Sequence, residues 1–165
     1  MRMVQCRMHQ IDQTVTRRRL GLIFGSLGIP SVQAQTQKHG IIHFDVEYKT
    51  TPGRIYQALL DAKQFKAFSG LPAEIDPKPG GWFKLFDGHI EGRNIELVPN
   101  RRIVQAWRSG WPPGIYSIAK FELVASGSNT RIAFDHTGFP EGEQEHLASG
   151  WTEHYWEPLH KYLNA

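Results

Sequence analysis

The chain has 165 residues, 40% of them apolar and 12% aromatic, which suits one domain with a real core plus an appendage and excludes bulk disorder. Its net charge of +3 invites a polyanion partner, yet the first 34 residues hold five arginines against Asp12 alone. The remainder carries 14 basic side chains (19 less 5) and 15 acidic ones (16 less 1), so no nucleic-acid partner is expected.

Residues 1–34 have the three-part form of an export signal: the basic run Thr16 to Arg19, the apolar run Leu20 to Ile29, and Pro30 leading to Val32-Gln33-Ala34 before a cut at Gln35. The apolar run is too short to span a bilayer, so no stable membrane span is expected after signal removal, and the product is read as periplasmic or secreted. Paired arginines suggest the twin-arginine route, although the aromatic usually found two places later is absent and the general secretory route stays open. If the segment is not a signal, the protein is cytoplasmic. Cys6 is the chain's one cysteine and lies in this leader, so a mature product has no disulfide or thiol chemistry. Residues 35–40 read as a linker and 41–165 as the domain.

Ile41 to Tyr48 alternates, with Ile42, Phe44, Val46 and Tyr48 on one face, and predicts a strand. Thr51-Pro52 starts a short helix to about Leu60, and Ala62 to Phe68 predicts a second. Glycines and prolines from Gly70 to Gly81 predict a loop with a brief strand at Ala73 to Ile75. Strands follow over Trp82 to Phe86, His89 to Val98, Arg102 to Ser109, Tyr116 to Ala125 and Thr130 to Thr137. On one parity these turn inward Ile95 and Leu97, Ile103, Gln105 and Trp107, Ala119, Phe121 and Leu123, and Ile132, Phe134 and His136. The last element places Leu147, Trp151, Tyr155, Leu159 and Tyr162 on one helical stripe, with Glu141, Glu143 and Glu145 in its first turns. Pro158 lies inside it, lacks a donor for the His154 carbonyl, and predicts a kink. The fold class is therefore α+β: an antiparallel sheet of about six or seven strands wrapped around a long C-terminal helix, with two short helices after the first strand.

The phrases Phe86-Asp87-Gly88 with Gly92, Glu96-Leu97-Val98-Pro99, Ile103-Val104-Gln105 with Trp107-Arg108, Trp111-Pro112 with Gly114 and Tyr116-Ser117, and Gly150-Trp151 with Tyr155-Trp156 carry a resemblance. Over residues 41–163 the chain resembles the C-terminal domain of the activator of the heat-shock protein 90 ATPase and its single-domain bacterial relatives. These belong to the SRPBCC or START-like superfamily, the helix-grip folds. The resemblance implies a cavity for hydrophobic molecules between sheet and helix, and its name implies a co-chaperone role.

In that cavity Trp107, Phe121, Phe134, Trp151 and Tyr155 are the candidate walls, and Gln105, His136 and His154 the candidate polar fixing points. Filling of the same space by core aromatics is the plain alternative. His136 and His154 are the titratable candidates, but neither has a nucleophile beside it, and a structural histidine explains each. His146, His154 and His160 stand eight and six residues apart, off the spacing that places two ligands on one helical face, so no metal and no cofactor are expected. Ser69, Ser109, Ser117 and Ser149 lack a nucleophile-elbow context. Arg93, Arg101 and Arg102 suggest a basic patch, and Trp111 to Gly114 an exposed aromatic loop, with solvated charge and a packed tryptophan as alternatives. The expected function is non-catalytic binding of a small hydrophobic ligand. A chaperone contact is the alternative if the leader is not an export signal, and an enzyme using the same cavity is a third reading.

Overall fold

The computed structural model describes residues 40–164, so the expected leader and the linker up to residue 39 lie outside the described residues. The elements are β1 (Ile41–Tyr48), α1 (Pro52–Leu60), α2 (Ala62–Ser69), β2 (Glu74–Ile75), β3 (Trp82–Leu85), β4 (Ile90–Val98), β5 (Arg102–Ser109), β6 (Ser117–Ser126) and β7 (Asn129–Thr137). A last helix follows, made of α3 (Gln144–Trp151), a π-helical stretch (Thr152–Trp156) and α4 (Glu157–Leu163). Seven strands form one sheet in the order β1-β7-β6-β5-β4-β3-β2, every neighbouring pair antiparallel. This is the α+β helix-grip arrangement expected from the sequence.

Local chemistry sets the boundaries. The Thr51 hydroxyl accepts from the Arg54 N–H at 3.4 Å and Pro52 occupies the first turn of α1. Asp61 ends α1 and caps α2, its carboxylate accepting from the Gln64 N–H at 2.9 Å. Gly70, at φ 78°, closes α2 in a left-handed conformation that suits glycine. Strict alternation on β1 buries Ile42, Phe44, Val46 and Tyr48 and leaves His43, Asp45 and Glu47 outside. The inner faces of β5, β6 and β7 do the same with Ile103, Phe121, Leu123, Ile132 and Phe134, and the last helix lies across them.

Two expectations change. Ile95 is 54% exposed instead of inward, because a bulge between Asn94 and Glu96 shifts the β4–β5 register and turns Asn94 in. Leu97 lies beyond the bulge, opposite Ile103, and is half-buried. At Pro158, where a kink is expected, the turn before the proline is widened: the Glu157 N–H reaches back five residues to the Thr152 carbonyl. That extra residue per turn brings Trp156 onto the buried face beside Trp151 and Tyr155, where the two indoles stack at 5.6 Å and 21°. The Tyr48 hydroxyl donates to the Trp156 carbonyl at 3.2 Å and ties β1 to the widened turn. Helix α3 begins at Gln144, so Glu145 is the acidic residue of its first turn and Glu141 precedes it.

Trp151 is 1% exposed, and its ring lies 4.3 Å from Phe134 and 4.9 Å from Trp107. Substituting Trp151 by Ala is expected to cost about 3–5 kcal/mol of unfolding free energy in urea denaturation. A loss under about 0.5 kcal/mol, the size of an ordinary surface change, would contradict this seating of the helix.

Candidate functional site

Most of the space between sheet and helix is filled. Phe134 and Phe121 pack at 4.8 Å, and both lie against Trp151 and Trp156. His136 is fully buried beside them. The Trp151 indole N–H donates to His136 Nδ1 at 2.9 Å, and an indole nitrogen can only donate. Nδ1 is therefore the accepting nitrogen of a neutral imidazole, and Nε2–H donates to the Ser117 hydroxyl at 2.6 Å. The Ser117 hydroxyl in turn donates to the Trp107 carbonyl at 3.2 Å. The chain Trp151–His136–Ser117–Trp107 satisfies every polar atom of the ring, and burial pushes the His136 pKa down to about 3.

Gln105 is committed in the same way. It is buried, and its amide donates to Asn94 Oδ1 at 3.0 Å, while the Asn94 amide donates to the Asp76 carbonyl at 2.9 Å. The Asn94 backbone meets Gly80 and Gly81 at 2.7 and 2.8 Å. The bulged residue thus anchors the proline- and glycine-rich loop that the sequence leaves without a partner.

Unfilled space remains at one end, a cleft of about 410 Å³ between the last helix, β4–β5 and the β3–β4 turn. Trp107, Trp151 and Tyr155 form its inner wall, Phe86, Ile90 and Leu147 extend it, and Leu71 stands at its lip. His89, His146, Glu153 and His154 surround the mouth, with Ser109 and Ser149 as further hydroxyl groups. Phe86 and Asp87 take left-handed φ values of 53° and 58°, uncommon for a bulky side chain. The Phe86 ring packs 5.3 Å from Tyr155 and 6.2 Å from His154. Burial raises the Tyr155 phenol well above its ordinary pKa, so it is a neutral group.

The structure brings Trp107, Trp151, His154 and Tyr155 to the cleft and places Gln105, Phe121, Phe134 and His136 outside its lining, within the packed core. His154 is exposed at the rim. Sequence reasoning did not single out Phe86, His89, Leu71, Ile90 or His146 for the cavity, because strand parity reports on sheet faces and these residues come from turns, a strand end and the flank of the helix. Phe86 had a signal in the Phe-Asp-Gly phrase. Among the described residues no group of three His, Cys, Asp or Glu side chains is placed to hold a metal ion. Arg102 is bound to Glu122 at 2.6 Å and to Glu96 at 3.3 Å, so it does not join an open basic patch, and Trp111 is buried.

Residues 49–164 match the family described as activator of Hsp90 ATPase homolog 1-like protein. The chain is similar to the human activator of 90 kDa heat shock protein ATPase homolog 1, 29% identical over 113 residues, which are 68% of this chain and 33% of that protein. It is also similar to the Dictyostelium discoideum activator of 90 kDa heat shock protein ATPase homolog, 30% identical over 107 residues, 64% of this chain and 28% of that one. The chain thus spans about a third of the length of the curated relatives it matches. Among solved structures it is similar to an HSP90 activator from Plasmodium falciparum, with a TM-score of 0.72 and 28% identity over 75% of this chain and 96% of the other. CalU16 from Micromonospora echinospora shares the fold at a TM-score of 0.67 and 21% identity, covering 76% of each chain.

The His136 chain has a pH signature. An unfolded histidine takes its proton near 6.5, whereas His136 in the folded state refuses it until about 3. Between those values the unfolded state binds more protons, so stability falls as pH is lowered through that window, by up to about 1.4 kcal/mol per pH unit. Urea denaturation at pH 7 and pH 4.5 is expected to show a smaller drop for His136→Gln than for the parent chain. Equal drops would contradict a neutral, fully engaged His136.

Proposed function

The chain belongs to the activator of Hsp90 ATPase homologue 1-like family, and on that footing we propose that it is a non-catalytic binding domain that holds a small hydrophobic ligand in the cleft beside Trp107, Trp151 and Tyr155. One observation carries this reading: after the aromatic core is packed, about 410 Å³ is left with an apolar inner wall, within the roughly 300–1,000 Å³ of small-molecule sites. The charged and titratable groups His89, His146, Glu153 and His154 are exposed while Trp107, Trp151 and Tyr155 are buried, which suits an amphipathic molecule lying apolar end inward. The engagement of both ring nitrogens of His136 supports a non-catalytic role. A periplasmic or secreted location, with residues 1–34 removed, belongs to this proposal.

The relatives' names favour a second reading, contact with an Hsp90 chaperone, which requires the chain to share a compartment with that partner. N-terminal sequencing of the native product separates the two locations, and a pull-down with an Hsp90 chaperone addresses the contact.

Gly150 supplies the test of the cleft. It lies in α3 on the cleft wall, and a Cβ built there meets nothing within 4 Å. Gly150→Leu is expected to keep or slightly raise stability, since glycine is the poorer helix former by about 1 kcal/mol, while occupying the ligand's space. Native mass spectrometry of the protein purified from its source is expected to show a bound apolar molecule, and Gly150→Leu to lose it. Full retention by a folded Gly150→Leu protein would overturn the assignment.

A further inference from the structure

The opposite, convex face of the sheet carries a second feature that the cleft reading does not use. The register aligns Trp82, Arg93, Ala106, Ile118, Thr137 and Ile41 in one row across six strands. All of them face away from the helix, because their chain neighbours Phe83, Gln105, Trp107, Ala119, His136 and Ile42 are buried. Ala106 of this row and Gly92 beside it line a groove of about 460 Å³ together with Trp82, Ile95 and Tyr116. Trp82, Ile95, Tyr116 and Ile118 are each 40–54% exposed. Single exposed apolar side chains need no explanation, but three lining one groove, with Ile118 next to Ala106 on the neighbouring strand, mark an interaction surface. The bulge that expels Ile95 builds one of the walls.

Charge selects the occupant. Across β1, β7, β6 and β5 this face is neutralised internally: Asp135 binds His43 and Lys120 at 2.7 and 2.8 Å, Asp45 binds Arg131 at 2.5 Å, and Arg102 binds Glu122. At the groove, Glu91 is taken by Arg108 at 2.7 Å. Lys84 and Arg93 are exposed and make no ion pair among the described residues: Lys84 stands in register between Glu74 and Glu91, the latter held by Arg108, and Arg93 donates to the Gly80 carbonyl at 3.0 Å. An apolar trough beside two exposed cations that no ion pair engages complements an apolar anchor flanked by carboxylates. We propose that this convex groove docks an acidic peptide segment of a partner protein through an aromatic or aliphatic anchor seated over Ala106. A cation at the rim steers such a segment and fixes its register, and the anchor supplies the buried area.

The experiment uses the full chain and a fluorescein-labelled probe peptide, Gly-Asp-Glu-Trp-Asp-Phe-Glu-Gly, followed by fluorescence anisotropy. Two control peptides carry lysine in place of every acid, or serine in place of both aromatics. The acidic aromatic peptide is expected to bind, more weakly as salt rises, and both controls to bind at least roughly tenfold more weakly. Lys84→Glu, on an exposed side chain, is expected to weaken binding by about tenfold, and Ala106→Trp to abolish it by filling the trough. Gly150→Leu is expected to leave it unchanged, which separates this groove from the cleft. The proposal is overturned if the acidic peptide does not bind, if the lysine peptide binds as tightly, or if Lys84→Glu leaves affinity unchanged. A concentration-dependent dimer that Ala106→Trp disrupts would also overturn it, by assigning the face to a second copy.

Discussion

The structure depends on how one indole is held. Trp151 presses its ring on Trp107 and Phe134 and directs its N–H to His136, so that a large apolar area and the polar atom it carries are satisfied together. Burying an indole without an acceptor costs about 1–3 kcal/mol, and a neutral histidine placed under it removes that cost. Ser117 and the Trp107 carbonyl complete the chain and link β7, β6 and β5 behind the helix. Position along the helix is thereby fixed to within a residue, because no other indole on the last helix meets His136 with its N–H.

That registration explains why the remaining space lies where it does. The helix would carry Trp151 and Tyr155 inward on an α-helical period and turn Trp156 aside. Widening before Pro158 brings Trp156 in as well, and the three rings fill the middle of the sheet. The β3–β4 turn then meets the helix through Phe86, and between that turn and the β5 end the packing stops, leaving the cleft. On the reading proposed above, the site is the space that the core leaves out.

Alternation made β1, β5, β6 and β7 legible, since one buried face imposes a period of two on apolar residues. The aromatic stripe identified the last helix for the same reason at a period near 3.6. Ile95 escaped this logic because a bulge adds a residue without leaving a mark on composition, and Asn94, the buried residue that results, looks like any polar strand residue until its loop partners are known. Pro158 announced a departure from regular helix but not its form; two tryptophans five apart, at 151 and 156, were the further sign of a π-helical turn. Of the cavity candidates that sheet parity named, Trp107 lines the cleft, while Phe121 and Phe134 face the same way but sit under the helix. The rim was not legible, because it is assembled from a turn, a loop and the flank of a helix that no single period connects.

The tryptophans offer the most direct test, since Trp107 and Trp151 face the cleft, Trp82 stands on the opposite face of the sheet, and each indole N–H gives its own resonance in a two-dimensional nitrogen–proton NMR spectrum. Titration with 1-naphthol as an apolar probe is predicted to move the Trp107 and Trp151 resonances in a saturable way and to leave Trp82 in place. A response confined to Trp82, or no saturable shift at Trp107 and Trp151, would contradict the account that the space left by the core is a binding cleft.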